Sequence, residues 1–200
     1  MIASILTLSR PDCKILKITD PYSIHRVIYS LFPKPEDKNR DFLFADKGGN
    51  FNERRILILS KRSPLQPEHG IIESKEIPES FLSWDLYGFE IRLNPVKREK
   101  TGGKILPIRG RENLLEWFCS KSESWGFTTG RESLQIQSSG IQTFEKQDGL
   151  VTQNMATFIG RLKVSDRPRF IKSFEEGIGR GKSFGFGLLE ILPLREQLNT

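Results

Sequence analysis

The chain has 200 residues, 36% of them apolar, with 14 Phe spread along its length. That is room for one sizeable core or two small ones, since domains commonly run to about 100–150 residues. No run approaches the ~20 uninterrupted apolar residues of a membrane-spanning helix, and the opening MIASILTLSRPD lacks the basic leader and small-residue cleavage site of a secretory signal, so a cytoplasmic protein with no membrane partner is expected. A net charge of +6 and a pI near 9.4 favour a polyanionic partner, although solubility alone accounts for an excess of this size.

Residues 2–8 mix β-branched and apolar positions and run into Ser9, Arg10, Pro11 and Asp12, which reads as a strand and then a turn. Asp20 is a helix cap and Pro21 a first helical position; Ile24, Val27, Ile28 and Leu31 then recur at spacings of three and four, predicting an amphipathic helix over 21–32. Residues 42–45 and 56–60 are apolar runs separated by Lys47-Gly48-Gly49-Asn50, as in paired strands, and 71–77 supplies a further short strand. The stretch 76–83, with Pro78, is the one linker candidate.

A second module starts at 86–94, where Tyr87, Phe89, Ile91 and Leu93 alternate with polar or small residues. A basic, Gly-containing stretch (96–111) precedes a helical segment carrying Leu114, Leu115, Trp117 and Phe118 and ending near Gly126. Strands are expected at 134–137, 141–144 and 155–164, a helix opened by Asp166-Arg167-Pro168 through Phe174, and a closing strand over 184–192. Each half thus reads as strand, helix, two strands, short helix or turn, strand. This is the order of an α+β protein with two tandem ferredoxin-like domains and antiparallel sheets, at 1–83 and 84–200.

Histidine is scarce: His25 and His69 are the only two. His69 sits in a Pro- and Gly-flanked loop without an informative partner, whereas one helical turn gathers Tyr22, His25 and Arg26. Cleavage of RNA by its own 2′-hydroxyl needs a proton removed, a proton delivered to the departing 5′-oxygen and charge stabilised on phosphorus, and a phenol, an imidazole and a guanidinium suit those tasks without a metal. Taken alone, the same triplet reads more simply as a helix surface with nothing to catalyse. Cys13 and Cys119 have no Cys or His at ligand spacing, so neither a disulfide framework nor a zinc site is expected.

Five glycines (Gly177, Gly179, Gly181, Gly185, Gly187) fall in eleven residues together with Arg180 and Lys182. Glycine at this density admits another backbone or a phosphate, or simply makes a tight helix-to-strand turn; the spacing fits neither a dinucleotide fingerprint nor a P-loop. Basic residues cluster at Lys97, Arg98 and Lys104, at Arg109 and Arg111, at Arg161 and Lys163, and at Arg167, Arg169 and Lys172. Several such groups in one half suit a phosphate backbone, with interspersed acids leaving a solvated surface as the bland reading.

The YSIHR helix start, the Arg92-Leu-Asn94-Pro95 strand end followed by Gly103-Lys104, and the terminal GIGRGKSFGFGLLEILP resemble the CRISPR RNA-processing endoribonucleases of the type I-E Cascade complex, the CasE family. The resemblance spans nearly the whole chain. It implies paired ferredoxin-like domains, metal-independent cleavage at the base of the CRISPR repeat hairpin, 5′-hydroxyl and 2′,3′-cyclic phosphate ends, and retention on the crRNA beside other Cascade subunits, especially the backbone subunit. Carried over, His25 and Tyr22 are the catalytic pair and Arg26 a phosphate contact, with no cofactor. Ser30 and Pro33 stand where a further polar or basic active-site residue would be sought. Lys97, Arg98, Lys104, Arg109, Arg161, Lys163, Arg180 and Lys182 are the expected RNA contacts. Two other readings are a catalytically silent repeat-binding subunit, and a structural subunit docking a protein through exposed Phe184 or Phe186 and the Gly-rich loop.

Overall fold

The computed structural model describes residues 1–33, 40–50, 52–99, 102–146 and 149–195. In the first half, β1 (Ile2–Ser9), β2 (Phe42–Gly49), β3 (Glu53–Ser60) and β4 (Ile71–Glu76) form an antiparallel sheet in the order β2-β3-β1-β4. The helix α2 (Pro21–Ser30) makes the crossover from β1 towards β2. The strand order is that of a ferredoxin-like unit, with bends and irregular backbone over 61–70 in place of its second helix.

Alternation explains why the first four residues of β2, Phe42 to Ala45, are all apolar. Phe42 and Phe44, with Ile56 and Ile58, face Ile24 and Ile28 of α2 and Leu6 and Leu8 of β1. Leu43, Ala45 and Leu59 face the other way, onto Phe174 and Leu188 of the second half. A strand covered on both faces loses the polar half of its pattern, and each large side chain so buried stabilises the fold by roughly 1.5–3 kcal/mol.

The second sheet repeats the arrangement with β5 (Leu86–Leu93), β9 (Leu134–Lys146), β10 (Gly149–Val164) and β11 (Leu189–Pro193). β11 pairs β5, β5 pairs β10, and β9 lines the far side of β10, continued there by the short β8 (Phe127–Thr128). Helices α3 (Arg111–Ser122) and α4 (Arg167–Glu176) cover one face, where Phe118, Phe158 and Phe170 meet Tyr87, Phe89 and Ile91. A hairpin of β6 (Val96–Arg98) and β7 (Ile105–Pro107) is inserted between β5 and α3. Tyr87 is wholly buried, yet its hydroxyl donates to Phe81 O at 2.8 Å and accepts from the Trp84 N–H at 3.1 Å. Arg167 holds the same connecting segment by donating to Leu82 O and Trp84 O and pairing with Asp85.

Three expectations need correction. The expected turn at 9–12 begins a helix, α1 (Arg10–Ile15), because Ser9 and Asp12 close a reciprocal cap: Ser9 Oγ accepts from the Asp12 N–H and the Asp12 carboxylate from the Ser9 N–H. Strands expected at 134–137 and 141–144 are one strand, since the pairing of β10 carries β9 across Ser138, Ser139 and Gly140, with a register shift between Thr157 and Phe158. The last strand starts only at Leu189, because Gly185 and Gly187, at φ of +81° and +83°, interrupt any extended run before it.

Candidate active site

The local sequence of α2 fixes its position before any long-range contact does. Asp20 accepts from the Ser23 N–H at 2.7 Å, and the buried Ser23 hydroxyl donates to Asp20 O at 2.6 Å while accepting from the N–H groups of Thr19 and Asp20. With Ile24 and Ile28 locked into the core, the stripe Tyr22, His25, Tyr29 is presented along the next face of the helix. The His25 ring stacks near-parallel to Tyr22 (centroids 5.7 Å, 11°) and packs on Tyr29 (3.9 Å). Arg26 is exposed, with its guanidinium 5.8 Å from the Tyr22 ring centre. The triplet expected from the sequence is therefore one patch.

The Gly-rich segment reaches the same place. Its base is closed by Ile178 N–H donating to Gly187 O and Gly187 N–H donating to Arg92 O, both at 2.8 Å, which staples the loop to β5. All five glycines have positive φ, between +75° and +83°. At Gly177 a Cβ would lie 2.7 Å from the Leu43 side chain, and at Gly187 it would run into Ile178 O. These two glycines therefore serve close packing within a tight helix-to-strand turn, the second of the two readings open from sequence. At the tip, Ser183 O accepts from His25 Nδ1 at 2.8 Å. Because a carbonyl oxygen only accepts, Nδ1 carries a proton and Nε2 becomes the nitrogen whose protonation can change.

Three residues that the sequence did not single out, Tyr29, Arg40 and Ser183, complete this cluster. Ser183 Oγ accepts from Arg40 Nη1 at 3.1 Å and sits 3.4 Å from the Tyr29 hydroxyl. Phe184 lies 5.5 Å from His25 and 4.5 Å from Phe144 of β9, tying the β9–β10 arm to the site. Phe186 is fully buried, with Arg92 5.2 Å from its ring centre, so the reading in which exposed Phe184 or Phe186 docks a partner is not supported: both rings are engaged within the chain. His69 takes no part in this cluster.

The basic residues divide by distance. Arg180 is exposed on the Gly-rich loop, whereas Lys182 donates to Glu176 O at 2.6 Å and caps the carboxyl end of α4. Burial lowers the Lys182 pKa, Arg40 lowers it further, and Glu176 works against both. Lys97, Arg98, Lys104 and Arg109 are exposed on or beside the β6–β7 hairpin, whose root is fixed by Asn154 Nδ2 donating to Ile108 O at 2.9 Å. Arg161 and Lys163 are exposed at the far end of β10; at about 3.3 Å per residue Arg161 is roughly 30 Å along the strand from Val151, the partner of Phe144. Among the described residues no group of three or more His, Cys, Asp or Glu side chains is gathered to hold a metal.

A family model described as CRISPR associated protein matches residues 3–193. The chain belongs to that family. It is 30% identical over 195 residues to the "CRISPR-associated endoribonuclease Cse3" of Thermus thermophilus, covering 88% of this chain and 92% of the relative. It is 29% identical over 189 residues to the "CRISPR system Cascade subunit CasE" of Escherichia coli, covering 88% and 93%. A solved structure described as CRISPR endoribonuclease Cse3 bound to 19 nt RNA superposes with a TM-score of 0.83 at 23% identity, covering 96% of this chain and all of that one; at that identity the match speaks for the fold, the paired ferredoxin-like arrangement. Within the CasE/Cse3 frame, Tyr29 was open to discovery as the i+4 neighbour of His25. Arg40 and Ser183 had no local signal, because only tertiary folding sets them beside α2.

Proposed function

We propose that this CasE/Cse3-family chain is a metal-independent endoribonuclease that cuts precursor CRISPR RNA at the base of the repeat hairpin. The mature crRNA then stays bound to it in a Cascade-type effector complex, in contact with other subunits, the backbone subunit above all, in the cytoplasm. Residues 1–83 and 84–200 act as two domains, the first carrying the reactive helix and the second most of the RNA surface. The single observation that carries the reading is the bond from His25 Nδ1 to Ser183 O. It fixes the tautomer and orientation of an imidazole at the meeting point of α2 and the Gly-rich loop, and the relatives' names supply the substrate.

In the reaction the 2′-oxygen loses its proton and bonds to the adjacent phosphorus. The bond from phosphorus to the 5′-oxygen breaks, and that oxygen takes up a proton, leaving a 2′,3′-cyclic phosphate and a 5′-hydroxyl. His25 Nε2 and the Tyr22 hydroxyl divide the two proton transfers, with Arg26 contacting phosphate. Lys97, Arg98, Lys104, Arg109, Arg161, Lys163, Arg180 and Lys182 bind the RNA. A stem hides its base edges, so this surface reads phosphates and shape.

A labelled repeat hairpin tests the proposal. Cutting in excess EDTA, with cyclic-phosphate ends and with a block by a 2′-deoxy nucleotide at the cleavage position, is expected. Cutting of the 2′-deoxy substrate, or dependence on added divalent metal, would refute it.

A further inference from the structure

The α2 patch supplies proton-transfer groups, and its one cation, Arg26, is exposed, with its guanidinium 5.8 Å from the Tyr22 ring centre. Arg40, in the segment leading into β2, is placed otherwise. Its Nη1 donates to Ser183 Oγ at 3.1 Å while Ser183 O accepts from His25 Nδ1 at 2.8 Å, so guanidinium and imidazole grip opposite ends of one residue. Its Nε is shielded from solvent and has no hydrogen-bond partner, an N–H in want of an acceptor. The ion pairs of the described residues engage Arg54, Arg55, Arg62, Arg131, Arg167 and Arg169, but not Arg40. Its guanidinium lies 5.9 Å from the Phe42 ring centre, which restricts the plane in which its donors fork.

Resting on the ribonuclease reading above, we propose that Arg40 is a further catalytic residue, the cation that contacts the scissile phosphate and takes up the charge that builds on its non-bridging oxygens during cleavage. A planar guanidinium matches phosphate oxygens, and it keeps its charge throughout the reaction. Lys182 sits near enough for Arg40 to depress its pKa, so an anion arriving here relieves a repulsion between two cations.

The test is single-turnover cleavage of the repeat hairpin at saturating protein, with the dissociation constant measured in parallel. Arg40→Gln keeps a donor for Ser183 but no charge, and is expected to slow cleavage about 10²–10³-fold, the usual loss for one transition-state donor, with affinity within a few-fold of wild type. Arg40→Lys should recover part of the rate. Free guanidinium should restore part of the activity of Arg40→Ala and none of that of His25→Ala, a response that a merely structural role for Arg40 would not give. Cleavage by Arg40→Gln within threefold of wild type, a loss confined to affinity, or no rescue by guanidinium would each overturn the assignment while leaving the ribonuclease reading intact. A wild-type protein that binds the hairpin and never cuts it would instead remove that reading, and this inference with it.

Discussion

His25 and Ser183, 158 residues apart in sequence, meet through one hydrogen bond, from the imidazole Nδ1 to the main-chain oxygen at 2.8 Å. A main-chain acceptor cannot be removed by changing its own side chain. It is held in place by the loop that carries it, so the orientation of the His25 ring depends on the glycines of the second half.

That dependence is measurable at Gly187. A Cβ there meets Ile178 O, and φ is +83°, a conformation that costs a non-glycine residue roughly 1–2 kcal/mol before any clash. At Gly179 the φ is +75° but the nearest neighbour, the Leu93 side chain, is at an ordinary 3.6 Å. Gly187→Ala should therefore lower the melting temperature clearly more than Gly179→Ala, and slow cleavage as the loop carrying Ser183 shifts. Equal melting temperatures would mean that the base of the loop yields freely.

The far end of β10 is expected to hold RNA without touching the chemistry. Arg161→Ala and Lys163→Ala should weaken hairpin binding and lower the slope of log K against log salt by roughly 0.7–0.9 for each phosphate that is no longer neutralised. The cleavage rate at saturating protein should stay at the wild-type value. Unchanged slopes would take these residues out of the RNA surface, and a slowed saturated rate would place them nearer the reacting strand than the fold does.

Between the two sheets, Lys47 Nζ bridges Glu90 at 2.7 Å and Glu190 at 3.0 Å. Burial raises the Glu190 pKa against the pull of Lys47. Between the ordinary glutamate value and this raised one, the folded protein keeps a proton that the unfolded chain has released. Stability therefore falls as pH rises through that window. Glu190→Gln removes the slope, so thermal melts across mildly acidic pH should be flatter for the variant than for wild type. Parallel curves would show that Glu190 titrates normally.

Much of this architecture is legible in the sequence because local rules agree with the tertiary outcome. The Asp20-Pro21 cap and the Ile24 to Leu31 spacing specify α2, and the alternation from Tyr87 to Leu93 specifies β5. Where legibility fails, the deciding contact is remote or the local signal is ambiguous. Ser9 and Asp12 are turn formers and also the two halves of a helix cap. Phe184 to Leu188 looks like strand until glycine dihedrals are known. Tyr22, His25 and Arg26 stand out because one helical turn gathers them, while Arg40 and Ser183 come within reach of His25 only once β2 and the Gly-rich loop are folded against α2. Basic composition, likewise, did not reveal that Arg161 lies far along β10 from Phe144, the ring that packs on Phe184.

The most direct test of the central claim is the single-turnover cleavage rate of His25→Ala on a cognate repeat hairpin, with affinity measured on the same RNA. The account predicts a loss of at least about 10²-fold, at the lower edge of what a positioned acid–base group contributes, with binding within a few-fold of wild type. Cleavage at the wild-type rate by that variant would contradict it.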